Sequence, residues 1–195
     1  MSFALNYAGV SITPIRHDDI EFLRVVRNNP EVRRYLITDE EISAEQQKRW
    51  YAAYQSDPAQ VRFLVKEGDV PAGITSITDI IDDGTRRGEQ GIVLAQDFWS
   101  RGIGTKASVL LHRYAFRLAA FKLLVGEVHE DNISSHMVNS RTGSIRISRE
   151  KFEELGFKPA QGKFIFYLNE QVHELENVVL TSSYDFCDLK SFPKP

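Results

Sequence analysis

The residues best suited to chemistry lie between Ile92 and Ala107. Ile92-Val93-Leu94-Ala95 is a short apolar, β-branched run of the kind that forms a buried strand. Gln96-Asp97-Phe98 follows as a polar turn, and Trp99-Ser100-Arg101-Gly102-Ile103-Gly104-Thr105 places two glycines one residue apart. Beyond them Ala107, Leu110, Leu111, Tyr114 and Leu118 recur at the spacing of one helix face. A strand, a Gly-x-Gly turn and a helix make an anion-binding device. Glycine lets backbone approach a ligand, and the first unpaired N–H groups of the helix point at it with the positive end of the dipole behind them. The same pattern also serves as a plain tight turn that packs a helix on a sheet. Two nucleotide motifs are excluded: the chain has no Gly-x-x-x-x-Gly-Lys-Ser/Thr, and Gly-x-Gly-x-x-Gly fails because position 107 is Ala.

The elements that must position this stretch fit one domain over 1–195. A chain of 195 residues, 42% hydrophobic and 26% charged, is an ordinary globular α/β composition with enough length for a substantial core. The net charge of −3, from 24 basic and 27 acidic residues, gives no broad basic surface for nucleic acid. The single cysteine, Cys187, cannot form an internal disulfide or a metal cluster, which fits a reducing cytoplasm. The first twenty residues carry Arg16, Asp18 and Asp19 without an apolar run, unlike a signal peptide, and no stretch reaches the ~20 apolar residues of a membrane span. A cytoplasmic protein is expected, with a homodimer left open.

Along the chain, Val10 to Ile15 alternates as a first strand, which Pro14 places at an edge. Asp18 or Asp19 caps a helix buried through Ile20, Leu23 and Val26, and Pro30 breaks it before Val32 and Leu36. Ser43 with Gln46 forms a capping box for a helix to about Gln55, in which Trp50, Tyr51 and Tyr54 suit either the core or a pocket wall. Val61–Val65, Gly73–Ile77 and Arg86–Ala95 read as three strands joined at Gly68-Asp69 and Asp82-Asp83-Gly84, an antiparallel meander. Leu123–Val128 is a strand reached through the Gly-x-Gly helix, which makes it parallel to the strand before that helix. Lys163–Tyr167 and Val178–Thr181 read as two last strands, and 191–195 as a loose end.

Gly88-Glu89-Gln90-Gly91-Ile92-Val93-Leu94 followed by Trp99-Ser100-Arg101-Gly102-Ile103-Gly104-Thr105 resembles the coenzyme A signature of the GCN5-related N-acetyltransferases, Gln/Arg-x-x-Gly-x-Gly/Ala, with Trp99 at the usual Gln/Arg position. The resemblance runs from about Ile12 to Tyr184. It implies an α+β (α/β three-layer) fold: a mixed, mostly antiparallel sheet of about 6–7 strands flanked by about 4 helices, with a splayed parallel strand pair. Arg27-Asn28-Asn29-Pro30-Glu31-Val32 resembles a segment of the branch that acetylates nucleotide-linked amino sugars. The family's Asn-x-x-Ser-x-x-x-Tyr-x-x-x-Gly-Phe is matched at Asn132 and Ser135 and again at Phe152, Gly156 and Phe157, with an inserted loop or short helix expected over 136–147 between them.

The resemblance implies acetyl-CoA as cosubstrate, no metal, and a small-molecule amine as acceptor. Protein N-terminal acetylation is the alternative enzyme, and a non-catalytic acyl-CoA sensor the alternative from another class. Ile92, Val93 and Leu94 are then expected to meet the pantetheine arm, Trp99 to Thr105 the pyrophosphate with charge from Arg101 or Lys106, and Asn132 or Asn139 the cofactor as well. Arg27, Asn28, Trp50 and Tyr54 are expected at the acceptor. Glu89 is the expected base, since a buried carboxylate works near neutral pH, against a plain ion pair with Arg86 or Arg87. His129 is the second candidate base. With Phe152 at the usual tyrosine position, the proton for the leaving thiolate falls to Ser135, Tyr54, Tyr167 or solvent. His112, His129, His136 and His173 lack the spacing of metal-ligand pairs.

Overall fold

Alternating segments assemble into one mixed sheet. The computed structural model describes residues 3–170, and the strands within them are β1 Leu5–Tyr7, β2 Val10–Pro14, β3 Val61–Glu67, β4 Val70–Ile81, β5 Arg87–Leu94, β6 Leu123–His129, β7 Ile145–Ile147 and β8 Phe164–Glu170. They lie in the order β1-β2-β3-β4-β5-β6-β8-β7. Every neighbouring pair is antiparallel except β5 and β6, which the Gly-x-Gly helix joins in a crossover. The helices are α1 Ile20–Asn28, α2 Pro30–Arg33, α3 Ala44–Tyr54, α4 Ile103–Arg113, α5 Ile133–Arg141 and α6 Arg149–Glu154.

Strand alternation divides the apolar side chains between the two faces. On one face Ile103, Ala107, Leu110 and Leu111 of α4 pack on Phe63, Val65, Ile77 and Leu124. On the other, α1 and α3 bring Ile20, Leu23 and Trp50 over Leu64 and Ile74, and α6 brings Phe152 onto Val125, Phe166 and Leu168. The expected strand meander, the parallel pair and the capping box are all present. Ser43 Oγ accepts from the Gln46 N–H at 3.2 Å, and Gln46 Oε1 accepts from the Ser43 N–H at 2.6 Å.

Four expectations change. β2 is not an edge strand: β1 lies beside it as far as Leu5↔Ile12, and Pro14 falls past the end of that pairing, where a missing N–H loses no ladder bond. Asp19 stands at the N-cap of α1 but gives the helix no side-chain hydrogen bond. It accepts the Arg16 N–H at 2.7 Å and closes a short 3₁₀ turn over His17–Asp19, so α1 starts at Ile20. Residues 136–147, expected as an inserted loop or short helix, are the later part of α5, a turn and the edge strand β7. The turn contains Gly143 at φ +77, and Asn169 Nδ2 holds it by donating to Thr142 O at 2.9 Å and Ser144 Oγ at 3.1 Å. Asn132, Ser135, Asn139 and Gly143 stand at the spacing of the Asn, Ser, Tyr and Gly of the quoted pattern, with Ser144 where that pattern has Phe. Phe152 lies instead on α6, with no exposed surface. The expected strand Val178–Thr181, the tail 191–195, Cys187 and His173 lie outside the described residues.

Phe152→Tyr is expected to cost about 1–3 kcal/mol in urea denaturation, because its hydroxyl enters an apolar cluster without a partner. Undiminished stability would mean that the cluster of Val125, Phe157 and Phe166 admits a hydroxyl.

Candidate active site

The α4 N-terminus forms as the sequence requires. Gly102 stands at the N-cap with φ +75, a left-handed conformation that only glycine adopts freely. Ser100 just before it also has a positive φ, +59. The Lys106 N–H returns to Gly102 O at 3.2 Å, so the N–H groups of Ile103, Gly104 and Thr105 are the unpaired donors of the first turn. Gly104 serves packing: a Cβ there would lie 3.2 Å from Val138 Cγ2 on α5 and 3.8 Å from Leu94 Cδ1. The two expected cations are turned to protein groups. Arg101 pairs with Glu67 at 2.6 Å and lies over the Phe98 ring, while Lys106 Nζ donates to Ala8 O at 3.0 Å. The cradle is therefore made of backbone and dipole more than of side-chain charge.

Beside it the sheet opens. β5 and β6 are paired at Arg87↔Leu123, Gly88↔Leu124 and Glu89↔Val125. Past that point β5 stays with β4 as far as Leu94 and β6 stays with β8 as far as His129, so the two parallel strands part. Backbone direction in β5 can be read from three bonds. Ala95 N–H donates to Ala72 O and Thr75 Oγ1 to Gly91 O on the β4 side, whereas Arg86 O accepts from Lys122 N–H on the β6 side. By alternation Val93 also turns its N–H and C=O to β4, and Ile92 and Leu94 turn theirs into the gap. Of the backbone groups expected to meet a ligand, Val93 is thus already engaged with β4. Leu94 O is taken as well, by Trp99 Nε1–H at 3.0 Å, so the indole closes the turn after β5.

Side chains at the parting point face opposite ways. Glu89 lies on the α1/α3/α6 face with Val125, its paired neighbour, and Glu127 two residues on. Its carboxyl is pushed up to about 8, first by burial and then by the negative charges of Glu127 and Asp79. Glu127 is also raised, mainly by burial, although its Oε2 accepts the Ala160 N–H at 2.9 Å. Asp79 sits at a break in the β4–β5 register with φ +49. The ion pair considered for Glu89 does not form among the described residues. Arg87 is bound to Asp83 and to Leu155 O, and Arg86 to Ala119 O.

On the α4/α5 face, Gln90 Oε1 meets His112 Nε2 at 2.6 Å. An amide oxygen can only accept, so the imidazole carries its proton on Nε2. Burial drives the His112 pKa down to about 4, so this ring is neutral at physiological pH. Nearby, His136 Nε2 donates to Glu130 O at 3.0 Å and its Nδ1 accepts from the Tyr167 hydroxyl at 2.8 Å. Tyr167, considered as a proton donor, thus spends its proton on His136.

The other expected residues divide clearly. Arg27 donates to Glu40 O and Thr38 Oγ1, both at 2.7 Å, and Asn28 makes a two-way pair with the Ile42 backbone at 2.8 and 3.0 Å. Both hold the 38–42 loop against α1, instead of being free for an acceptor. Trp50 and Tyr54 stack at 5.7 Å and pack on the α1/α3 core, with the Tyr54 hydroxyl donating to Arg62 O at 3.2 Å. Asn132 caps α5 by accepting the Ser135 N–H at 3.1 Å, which leaves its carboxamide nitrogen for a ligand, and Asn139 Nδ2 donates to Ser135 O. His129 shares the Glu89 face by alternation, with its ring against Tyr35 and Phe164, but its Nδ1 lone pair is taken by the Asp131 N–H at 3.3 Å. Gln90, Glu127 and Tyr35 are absent from the sequence-based candidates. Strand alternation from Glu89 and Val125 could have found the first two; nothing local marks Tyr35.

A backbone anion cradle beside a parted parallel strand pair, with a buried carboxyl across the sheet, is the architecture of the acetyltransferases resembled above. Residues 10–144 match the model of the acetyltransferase (GNAT) domain family, and the chain belongs to that family. It is similar to the spermidine N(1)-acetyltransferase of Escherichia coli (strain K12), 24% identical over 123 residues, or 63% of this chain and 66% of that protein, just under two thirds of its length. Among solved structures it is similar to the spermidine N-acetyltransferase of Vibrio cholerae in complex with CoA and spermine, with TM-score 0.73 and 16% identity over 85% of this chain and 97% of that one. It is also similar to apo FdhC, a nucleotide-linked sugar GNAT, with TM-score 0.70 and 17% identity over 88% and 92%. At these identities the structures share the fold. Among the described residues no helix is long and apolar enough to cross a membrane, and no group of His, Cys, Asp or Glu is placed to hold a metal.

Gly102→Ala tests the cradle. An added Cβ meets nothing within 4 Å, so its cost is the left-handed φ alone, about 1–2 kcal/mol in chemical denaturation. Undiminished stability would mean that residue 102 is free to leave this conformation.

Proposed function

We propose that the chain transfers an acetyl group from acetyl-CoA to a primary amine of a small molecule. The observation that carries this reading is Glu89 at the parting of β5 and β6: a half-buried carboxyl at the gap, across the sheet from the α4 cradle. In this reading the Ile103, Gly104 and Thr105 N–H groups hold the pyrophosphate, and the Ile92 backbone and the Leu94 N–H pair with the peptide-like pantetheine arm in the gap. The amine approaches from the Glu89 face. Glu89 takes a proton from the ammonium, directly or through water. The freed nitrogen attacks the thioester carbon, the C–N bond forms, the nitrogen gives up its second excess proton to solvent, the C–S bond breaks, and the thiolate is protonated from solvent. His129, whose free lone pair is engaged, is the weaker base.

Charge speaks for the acceptor class. Glu127 and Asp79 both raise the Glu89 pKa, and Asp79 adds to the burial that raises Glu127, an environment that attracts a cationic amine and repels a pyrophosphate. With Arg27 spent on the 38–42 loop, this favours a polyamine-like acceptor over the nucleotide-linked amino sugar that residues 27–32 suggest. The names of the spermidine acetyltransferases agree with that choice.

Glu89→Gln is expected to leave acetyl-CoA binding intact and to lower kcat by about 10²–10⁴-fold, read by thiol release with spermidine as acceptor. Unchanged turnover would remove Glu89 from the mechanism. In the wild type, kcat/KM should rise with pH and level off above about 8, because the carboxyl must be ionised to act. Glu127→Gln removes one of the charges that raise the Glu89 pKa, so it should shift that rise to lower pH. A profile that stays in place would show that Glu127 does not act on the base.

A further inference from the structure

Gln90 is a polar side chain placed where the sheet opens. It follows Glu89, the last β5 residue paired with β6, and points to the opposite face, toward α4. It leans across to β6: a Cβ built on Gly126 would lie 3.4 Å from Gln90 Cγ and 3.9 Å from Nε2. The carboxamide is oriented from behind, since His112 on α4 donates to Oε1 at 2.6 Å and so turns the two N–H donors away from itself. That orientation does not depend on the ambient pH until the medium approaches pH 4, because the buried ring stays neutral above it. An apolar residue would satisfy the position if its role were packing alone, as Ile92 and Leu94 do farther along the same face.

We infer that Gln90, held by His112 at the point where β5 and β6 separate beside Gly126, is a side-chain hydrogen-bond donor to the carbonyl oxygens of the acyl-pantetheine arm. The inference rests on the proposed acetyl-CoA reading and assigns a residue to the cofactor side of that site. Glu89 and Gln90 then divide the work across the sheet: one faces the amine, and the next faces the acyl donor. Carbonyls of the arm that enter this gap leave water, so a donor fixed in advance is worth more there than a mobile one.

The test compares two ligands by calorimetric titration: acetyl-CoA, and adenosine 3′,5′-bisphosphate, which carries the nucleotide phosphates without the arm. Gln90→Leu should raise the Kd for acetyl-CoA about tenfold, the loss of roughly one net hydrogen bond, and leave the Kd for the bisphosphate unchanged. Gln90→Glu, titrated at a pH where its carboxyl is ionised, keeps the shape and the acceptor facing His112 but has no hydrogen-bond donor, so it should lose acetyl-CoA affinity in the same way. Wild-type affinity for acetyl-CoA in Gln90→Glu would make the residue a tie to His112 and overturn the inference. So would equal losses for both ligands, which would report a general distortion. Failure of the wild type itself to bind acetyl-CoA would instead sink the proposed function, so the two outcomes are distinguishable.

Discussion

The structure depends on the separation of two parallel strands that each keep a better partner elsewhere. β4 holds β5 in a long antiparallel ladder and β8 holds β6 in another, so once the three shared pairs end at Glu89 and Val125 the strands can diverge without losing their outer bonds. A gap inside a sheet exposes backbone groups that would otherwise be paired, and such groups are costly unless something else engages them. Here Trp99 takes one, Leu94 O, and Gln90 lies across the gap where it opens. The groups that remain are a strand edge in the middle of the molecule, ready for a ligand with amides of its own.

The same gap sets the electrostatics. Glu89 is raised first by desolvation, because it sits between strands instead of at the rim, and then by carboxylates on the strands that flank it. Arginines close by in sequence do not relieve it. Arg86 and Arg87 are drawn to the Asp82–Thr85 turn and to carbonyls beyond it, which keeps their charge off the carboxyl face. Burial and the arrangement of the β4–β5 turn therefore tune one group together.

Much of this was legible in the sequence, and the rest was hidden for definable reasons. Strands, caps and the strand–glycine–helix unit follow local rules, and β3 to β6 formed where alternation and turn residues put them. The stretch 136–147 reads as an inserted loop or short helix because matching both Asn132 and Gly156 to one pattern leaves extra residues between them. Its order comes from Asn169, a residue of β8 far along the chain whose amide fixes the turn, and local composition carries no trace of that contact. Arg27 and Asn28 show the limit from the other side. Their residue types suit a ligand, but the chain used them on its own backbone. Gln90 was passed over because one polar residue between a glutamate and an apolar run looks unremarkable until α4 sets His112 against it.

The alternation of β5 also has a kinetic consequence. Adjacent residues at the opening face different sides, so under the proposed reading donor and acceptor enter the same slot from opposite faces of the sheet and do not share an entrance. Neither has to leave before the other arrives. With no cysteine among the described residues to stand between them, the acyl group has no thiol there to rest on. Such an arrangement calls for a ternary complex and direct transfer, with intersecting double-reciprocal plots in place of the parallel lines of a ping-pong enzyme, and lets the two products depart on separate sides.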